Sequence, residues 1–325
     1  MPSNLFICVR NAKRDGSFGT EPGRTTYLDI PDGEMPNKRH AVSKTEWRKR
    51  AVERATRSVD ERTGYRLGDA LVFVHGYNNG QEVVMARHDL LQRRLREAGY
   101  QGAIISFDWP SAESALNYLE DRSDAKATAL RLVSDGIALL AHLQEQQDRL
   151  KCRIDVHLLG HSTGVYVIRE AFSDADDHRR LSLINWSVSQ VALIGGDISA
   201  KSLSADNAKT DSLVRHSIRV TNYSNPFDSA LKLSNAKRVG MAPRVGRVGL
   251  PYDASSNCVN VDCGTHWRTL DEADTRAPGA FSHSWHFDDQ LFARDLVYTL
   301  QGDIDRNSIP TRVRDADGNL QLAAE

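Results

Sequence analysis

The chain has 325 residues, 26% of them charged, yet its formal net charge is only −1, so no overall field draws it to nucleic acid or to an anionic membrane. That length holds a sizeable core, in one large α/β domain or two ordinary ones. No apolar run approaches the ~18 residues of a membrane span, and the opening "MPSNLFICVRNAKRDG" is too weakly apolar for a signal-peptide core, so a cytoplasmic address and a small neutral partner are expected.

In chain order, short apolar runs bounded by turn residues predict eight buried strands: 4–10, 24–30, 70–76, 102–109, 154–160, 188–196, 217–225 and 258–264. Ser43 followed by Glu46 is a capping-box signature that predicts a helix over "WRKRAVERATRSV". "QEVVMARHDLLQRRLREAG" places Val83, Leu90, Leu91 and Leu95 near one face, with Gly99 ending that helix. In "DAKATALRLVSDGIALLAHLQEQ" the spacing of Leu130, Val133, Ile137 and Leu140 predicts another amphipathic helix. Strands and helices alternate from residue 70 onward, which argues for an α/β fold with a mostly parallel sheet covered on both faces.

The stretch 236–257 is rich in Gly, Pro and Arg without periodicity and reads as a long loop. Residues 303–325 form a polar tail in which "VRDADGNLQL" can close a small hairpin through Asp317-Gly318. With no repeat or linker, residues 1–325 read as one domain, opening with N-terminal strands and a helix over 1–65. Cys8, Cys152, Cys258 and Cys263 show neither metal-ligand spacing nor disulfide density, so reduced thiols are expected, with no metal and no cofactor.

Chemistry concentrates in "HLLGHSTGVYV". Gly160-His161-Ser162-Thr163-Gly164 matches G-x-S-x-G, the turn that lifts a serine oxygen clear of a sheet edge. Composition alone yields this pattern in about one chain in ten, so the context decides. A strand run enters it, and Val165, Ile168 and Phe172 leave at helical spacing. The new helix would aim free N–H groups at an attacked carbonyl. The alternative is a tight turn holding an ordinary serine.

A second element is "VFVHGYNNG", where a strand ends in His75-Gly76 and exposes the N–H groups of Tyr77 and Asn78. One oxyanion donor follows the nucleophile and another comes from a loop after an earlier strand, which points to the backbone amides of Thr163 and Tyr77. His75 is expected to brace this loop.

Together, His75-Gly76-Tyr77-Asn78, Trp109-Pro110-Ser111 and Gly160 to Gly164 resemble the α/β-hydrolase superfamily, and within it a bacterial esterase/lipase-like family with HGYN, WPS and GHSxG motifs. The resemblance covers roughly residues 70–300 and implies an α/β-hydrolase fold with an eight-stranded sheet, no large cap domain and a Ser-acid-His site. In such a chain the acid precedes the histidine. Two aspartates fit by position: Asp197 ends "VALIGGD" and Asp228 closes "IRVTNYSNPFD" after the next strand. Asp228 is preferred because "NPFDSAL" resembles the family's acid turn, and Asp197 then caps a helix or lines the pocket. For the base, His266 follows the last predicted strand, while His283 lies in an "HSY"-like segment where Trp285 replaces the usual aromatic. His283 is preferred, and His286 is expected on a helix face.

The expected set is Ser162, Asp228 and His283, with Tyr77 and Thr163 forming the oxyanion hole. His75, Asn78, Trp109, His161, Asp197 and His266 are candidate pocket residues, and Tyr118 and Asp121 follow the Trp109 loop. The expected activity is cleavage of small soluble carboxylic esters through an acyl-enzyme. Acyl transfer to an alcohol, thioester cleavage and a non-catalytic scaffold that binds a partner are the alternatives.

Overall fold

The computed structural model describes residues 3–77, 79–111, 128–137, 147–179, 181–183, 185–236 and 242–323. All eight apolar runs form strands: β1 (Ser3–Ala12), β2 (Phe18–Pro31), β5 (Arg66–Val74), β6 (Ala103–Asp108), β7 (Cys152–His161), β8 (Val188–Ile194), β9 (Ser217–Ser224) and β10 (Cys258–Asp262). Four short strands join them: β3 (Ala41–Val42), β4 (Thr56–Val59), β11 (Arg312–Arg314) and β12 (Leu320–Leu322). The sheet therefore has twelve strands rather than eight. The added ones span two to four residues, too few to display an alternating pattern.

The strand order is β11-β12-β10-β9-β8-β7-β5-β6-β1-β2-β3, with β4 pairing antiparallel to the start of β5. From β1 to β12 along this order every neighbouring pair is parallel, and antiparallel pairs occur only at β4 and at the two margins. Strand β5 shows why the central runs are continuously apolar. Ala70, Val72 and Val74 pack with Trp47, Val165, Ile168 and Phe172, while Leu71 and Phe73 pack with Leu90, Leu91, Phe292 and Leu296. One layer thus holds helices Lys44–Ala55 and Thr163–Asp177, and the other holds Gln81–Glu97 and Gln290–Gln301. Each fully buried aliphatic or Phe side chain stabilises this sandwich by about 1.5–3 kcal/mol.

The expected helix over "WRKRAVERATRSV" stops at Ala55, because the β-branched Thr56 and Val59 belong to the strand paired with β5. Ser43 caps it, accepting from Glu46 N at 3.2 Å, but Glu46 turns its carboxylate to Arg50 (2.8 Å) instead of back to Ser43. Among the described residues of the helix expected through Leu130 and Val133, 128–131 are α-helical and Leu132–Ile137 form a π-helix. The wider turn rotates its inner face: Leu132 and Val133 are buried and Leu130 is exposed. Leu140 lies outside the described residues. The 236–257 loop carries a short helix, Val245–Val248, whose Val245 is buried. The tail closes its hairpin as expected, Arg312 opposite Leu322, and β12 docks beside β10. No helix among the described residues is long and apolar enough to cross a membrane.

Candidate active site

Ser162, Gly76 and Gly195 follow the carboxyl ends of the adjacent parallel strands β7, β5 and β8, the edge at which open α/β sheets place their ligands. Strand β7 delivers Ser162 with φ 56° and ψ −122°, a conformation L-residues avoid, just before the helix Thr163–Asp177 begins. The turn closes only because its neighbours are glycines. A Cβ at Gly164 would lie 2.2 Å from Val74 O, and one at Gly76 would lie 2.6 Å from Ser162 Cβ. The second contact also sets the His75-Gly76 loop directly against the serine. Thr163 is the first residue of the helix, so its N–H is one of the free donors at the positive end of the dipole.

Ser162 is anchored to the turn after β8: its N–H donates to Ile194 O (3.0 Å) and its carbonyl accepts from Asp197 N (3.1 Å). Gly195 lies between them with φ 52°, and a Cβ there would meet His283 Cε1 at 2.9 Å and Asp228 Oδ2 at 3.6 Å. The serine turn, the imidazole and the carboxylate therefore crowd one glycine. His283 Nδ1 is 2.6 Å from Asp228 Oδ2, while Asp228 Oδ1 accepts from Leu231 N at 2.9 Å. Both side chains are buried. With Nδ1–H donated to the carboxylate, Nε2 holds the lone pair that can take a proton from a hydroxyl. Asn225 Nδ2 donates to Ser282 O (3.0 Å) and Ser229 N to Ser282 Oγ (3.1 Å), which ties the acid loop to the histidine segment.

The alternative acid and base are occupied elsewhere. Asp197 Oδ1 forms a buried ion pair with Arg244 Nε at 3.2 Å. His266 Nε2 is 3.0 Å from Asp289 Oδ2, the residue that caps the helix Gln290–Gln301. His286 lies in the 3-10 helix Trp285–Phe287, as expected on a helix, and faces inward. It is 1% exposed, stacked on Trp285 at 4.0 Å, with neither ring nitrogen partnered. Burial, then the nearby His283 and His266, pushes its pKa well down.

His75 and Trp109 are packing and bracing groups. The His75 ring, fully buried, holds Gly76 O through Nδ1 (2.8 Å) and accepts from Trp109 N through Nε2 (3.1 Å). The Trp109 indole stacks on it and donates to His75 O at 2.8 Å. Burial lowers the His75 pKa, which keeps the neutral tautomer these two bonds require. His161 is also buried behind the base, with Nε2 3.0 Å from His283 O and rings 4.6 Å apart. Desolvation, followed by repulsion from His283 and Arg87, lowers its pKa strongly. Tyr77 is partly exposed. Asn78, Tyr118 and Asp121 lie outside the described residues.

Four residues absent from the sequence reading support this end of the sheet. Asp108 forms a buried ion pair with Arg10 of β1 (2.7 Å), and Arg10 donates to Asn79 O (2.8 Å). Arg87 donates to Asn79 Oδ1, Pro278 O and Ser284 Oγ, each at 2.9 Å. A signal existed for Arg87. With His88 it interrupts the buried stripe of Val84, Leu91 and Leu95, so a charge occupies a core position.

Residues 55–258 match the profile of a family described as alpha/beta hydrolase of unknown function (DUF900). The chain belongs to this family. The matched stretch of this hydrolase includes Ser162 and Asp228, and ends before His283. No curated protein matches the sequence. Among solved structures, the hydrolase is similar to a cutinase-like protein from Cryptococcus sp. (13% identity, 75% of this chain and 96% of the other, TM-score 0.33). It is also similar to a putative cell surface hydrolase from Lactobacillus plantarum (11%, 74% and 94%, TM-score 0.35) and to Trichoderma reesei cutinase with a phosphonate inhibitor (12%, 72% and 74%, TM-score 0.30). At these values none of the three bears on substrate or mechanism.

Proposed function

We propose that the protein is a serine hydrolase of small soluble carboxylic esters. Ser162 attacks the ester carbonyl while His283 Nε2 takes its proton, and Asp228 orients the ring and stabilises the imidazolium. The backbone N–H groups of Tyr77 and Thr163 hold the oxyanion. His283 then protonates the departing alcohol, and water activated by the same ring releases the acid. The observation that carries this reading is that His283 and Asp228 pack on Gly195, in the turn whose Ile194 O and Asp197 N hold Ser162, with the serine at φ 56°. Small soluble substrates are favoured because the stretch between Asp197 and β9 carries only a 3-10 turn, Ala200–Leu203, and a five-residue helix, Asp211–Arg215.

The test is turnover of p-nitrophenyl esters of increasing chain length, together with labelling by a fluorophosphonate probe. Wild-type protein is expected to be labelled and to prefer short acyl chains, and Ser162→Ala to lose both labelling and turnover. Unchanged turnover in Ser162→Ala would overturn the assignment, and a preference for long emulsified chains would overturn the substrate class.

A further inference from the structure

Arg87 is a buried guanidinium whose partners among the described residues are all neutral: Asn79 Oδ1, Pro278 O, Ser284 Oγ and, at 3.5 Å, His161 Nδ1, with the Phe287 ring 5.0 Å from its carbon. Burial lowers its pKa to about 10. A cation taken out of water without a carboxylate costs stability, so its placement calls for a reason beyond packing. The seat is built for it. Gly279 has φ 107°, and a Cβ there would lie 2.7 Å from Arg87 Nη2.

The contacts lead to one peptide unit. Because Asn79 Oδ1 accepts from Arg87, its amide is turned so that Nδ2 donates to Gly76 O at 2.8 Å. His75 Nδ1 lies at 2.8 Å from the same oxygen. The Gly76 carbonyl belongs to the peptide whose N–H is that of Tyr77. In a trans peptide the two point opposite ways, so two donors gripping the carbonyl fix the direction of the Tyr77 N–H, in a loop whose Gly76 already lies against Ser162. They also polarise that N–H into a stronger donor. Through its other partners Arg87 holds Ser284, next to the base, and His161, next to the nucleophile.

We propose that Arg87 is a positioning residue that, through Asn79, orients the Gly76–Tyr77 peptide for its role in the oxyanion hole. This rests on the serine-hydrolase reading, within which Arg87 touches no substrate. The decisive variant is Asn79→Asp. Its carboxylate pairs with Arg87 and keeps the fold, but cannot donate to Gly76 O. Deleting an oxyanion donor costs about 10²–10³-fold in kcat, and misaiming one is expected to cost roughly 10- to 100-fold. KM should move less than threefold, Tm should hold or rise, and affinity for a trifluoromethyl ketone analogue should fall in step with kcat. Arg87→Met should show the same split where it folds, with Arg87→Lys partly rescued. Wild-type kcat in folded Asn79→Asp would overturn the proposal, as would a loss that appears in KM alone. Turnover surviving in Ser162→Ala would instead sink the parent reading, so the two failures are distinguishable.

Discussion

His283 Nδ1 and Asp228 Oδ2 stand 2.6 Å apart, both side chains buried, while Asp228 spends its other oxygen capping Leu231 N. The carboxylate is thus held from two sides, and Oδ2 accepts from the imidazole edge that fixes the reactive tautomer. Asp228→Asn keeps the shape and removes the charge, and by the logic of a misassigned tautomer it should lower kcat by about 10³–10⁴-fold. Asp197→Asn, which weakens an ion pair with Arg244 instead, should cost less than tenfold in kcat and show mainly as a lower Tm. Paired kcat and Tm measurements on the two variants check this. The reverse ranking would return the acid role to Asp197.

Gly195 separates activity from stability. At φ 52° an alanine is strained by about 1–2 kcal/mol, and its methyl would sit 2.9 Å from His283 Cε1. The ring gives way more easily than the sheet end. A displacement of about 1 Å can cost on the order of 10²-fold in rate. Gly195→Ala should therefore remain folded, lose only those few kcal/mol in urea titration, and fall about 100-fold in kcat. A folded variant with wild-type kcat would show that this turn does not govern the base.

The eight main strands were readable because a sheet covered on both faces makes runs such as "ALVFV" apolar at every position. Ser162 was readable because its conformation demands glycines in fixed places, and those glycines leave a pattern. Asp228 and His283 were reachable only through chain order and family resemblance, since nothing local marks an aspartate 55 positions from its histidine as its partner. The two-residue strand Ala41–Val42 and the π-turn at Leu132–Ile137 escaped because neither has a period long enough to register. The brace of Arg10, Asp108, Asn79 and Arg87 escaped for another reason. Buried polar networks are specified by three-dimensional donor and acceptor matching, which has no spacing in sequence.

The Arg10–Asp108 pair joins β1 to that brace, and it lies partly outside the family segment, which begins at residue 55. The pair is buried on both sides, at 2% and 0% side-chain exposure, so removing one charge strands the other. Asp108→Asn should destabilise by about 3–5 kcal/mol, read as a lower urea midpoint at unchanged slope. The double variant Arg10→Met, Asp108→Leu strands no ion and should recover part of that loss. A double variant less stable than Asp108→Asn would mean that the hydrogen bonds to Asn79 and Gln81, rather than charge compensation, hold this corner.

Buried histidines predict how the protein fails in acid. Desolvation lowers the pKa of His88 to about 3 and also lowers those of His75, His161 and His286. Below about pH 6.5 the unfolded chain takes up more protons at these positions than the native state, so stability falls as pH falls. For His88 that window extends from about 6.5 down to about 3. A histidine that stays neutral in the native state while the unfolded chain is protonated contributes a slope of at most roughly 1.4 kcal/mol per pH unit. His286, with both nitrogens unpartnered between Trp285 and Phe292, is the clearest case. His286→Phe removes a buried polar ring that no hydrogen bond repays, so stability at pH 7 should hold or rise. It should also flatten the acid slope by one proton. Urea titrations between pH 5 and 7 measure both, and an unchanged slope in His286→Phe would mean that this ring is protonated in the native fold.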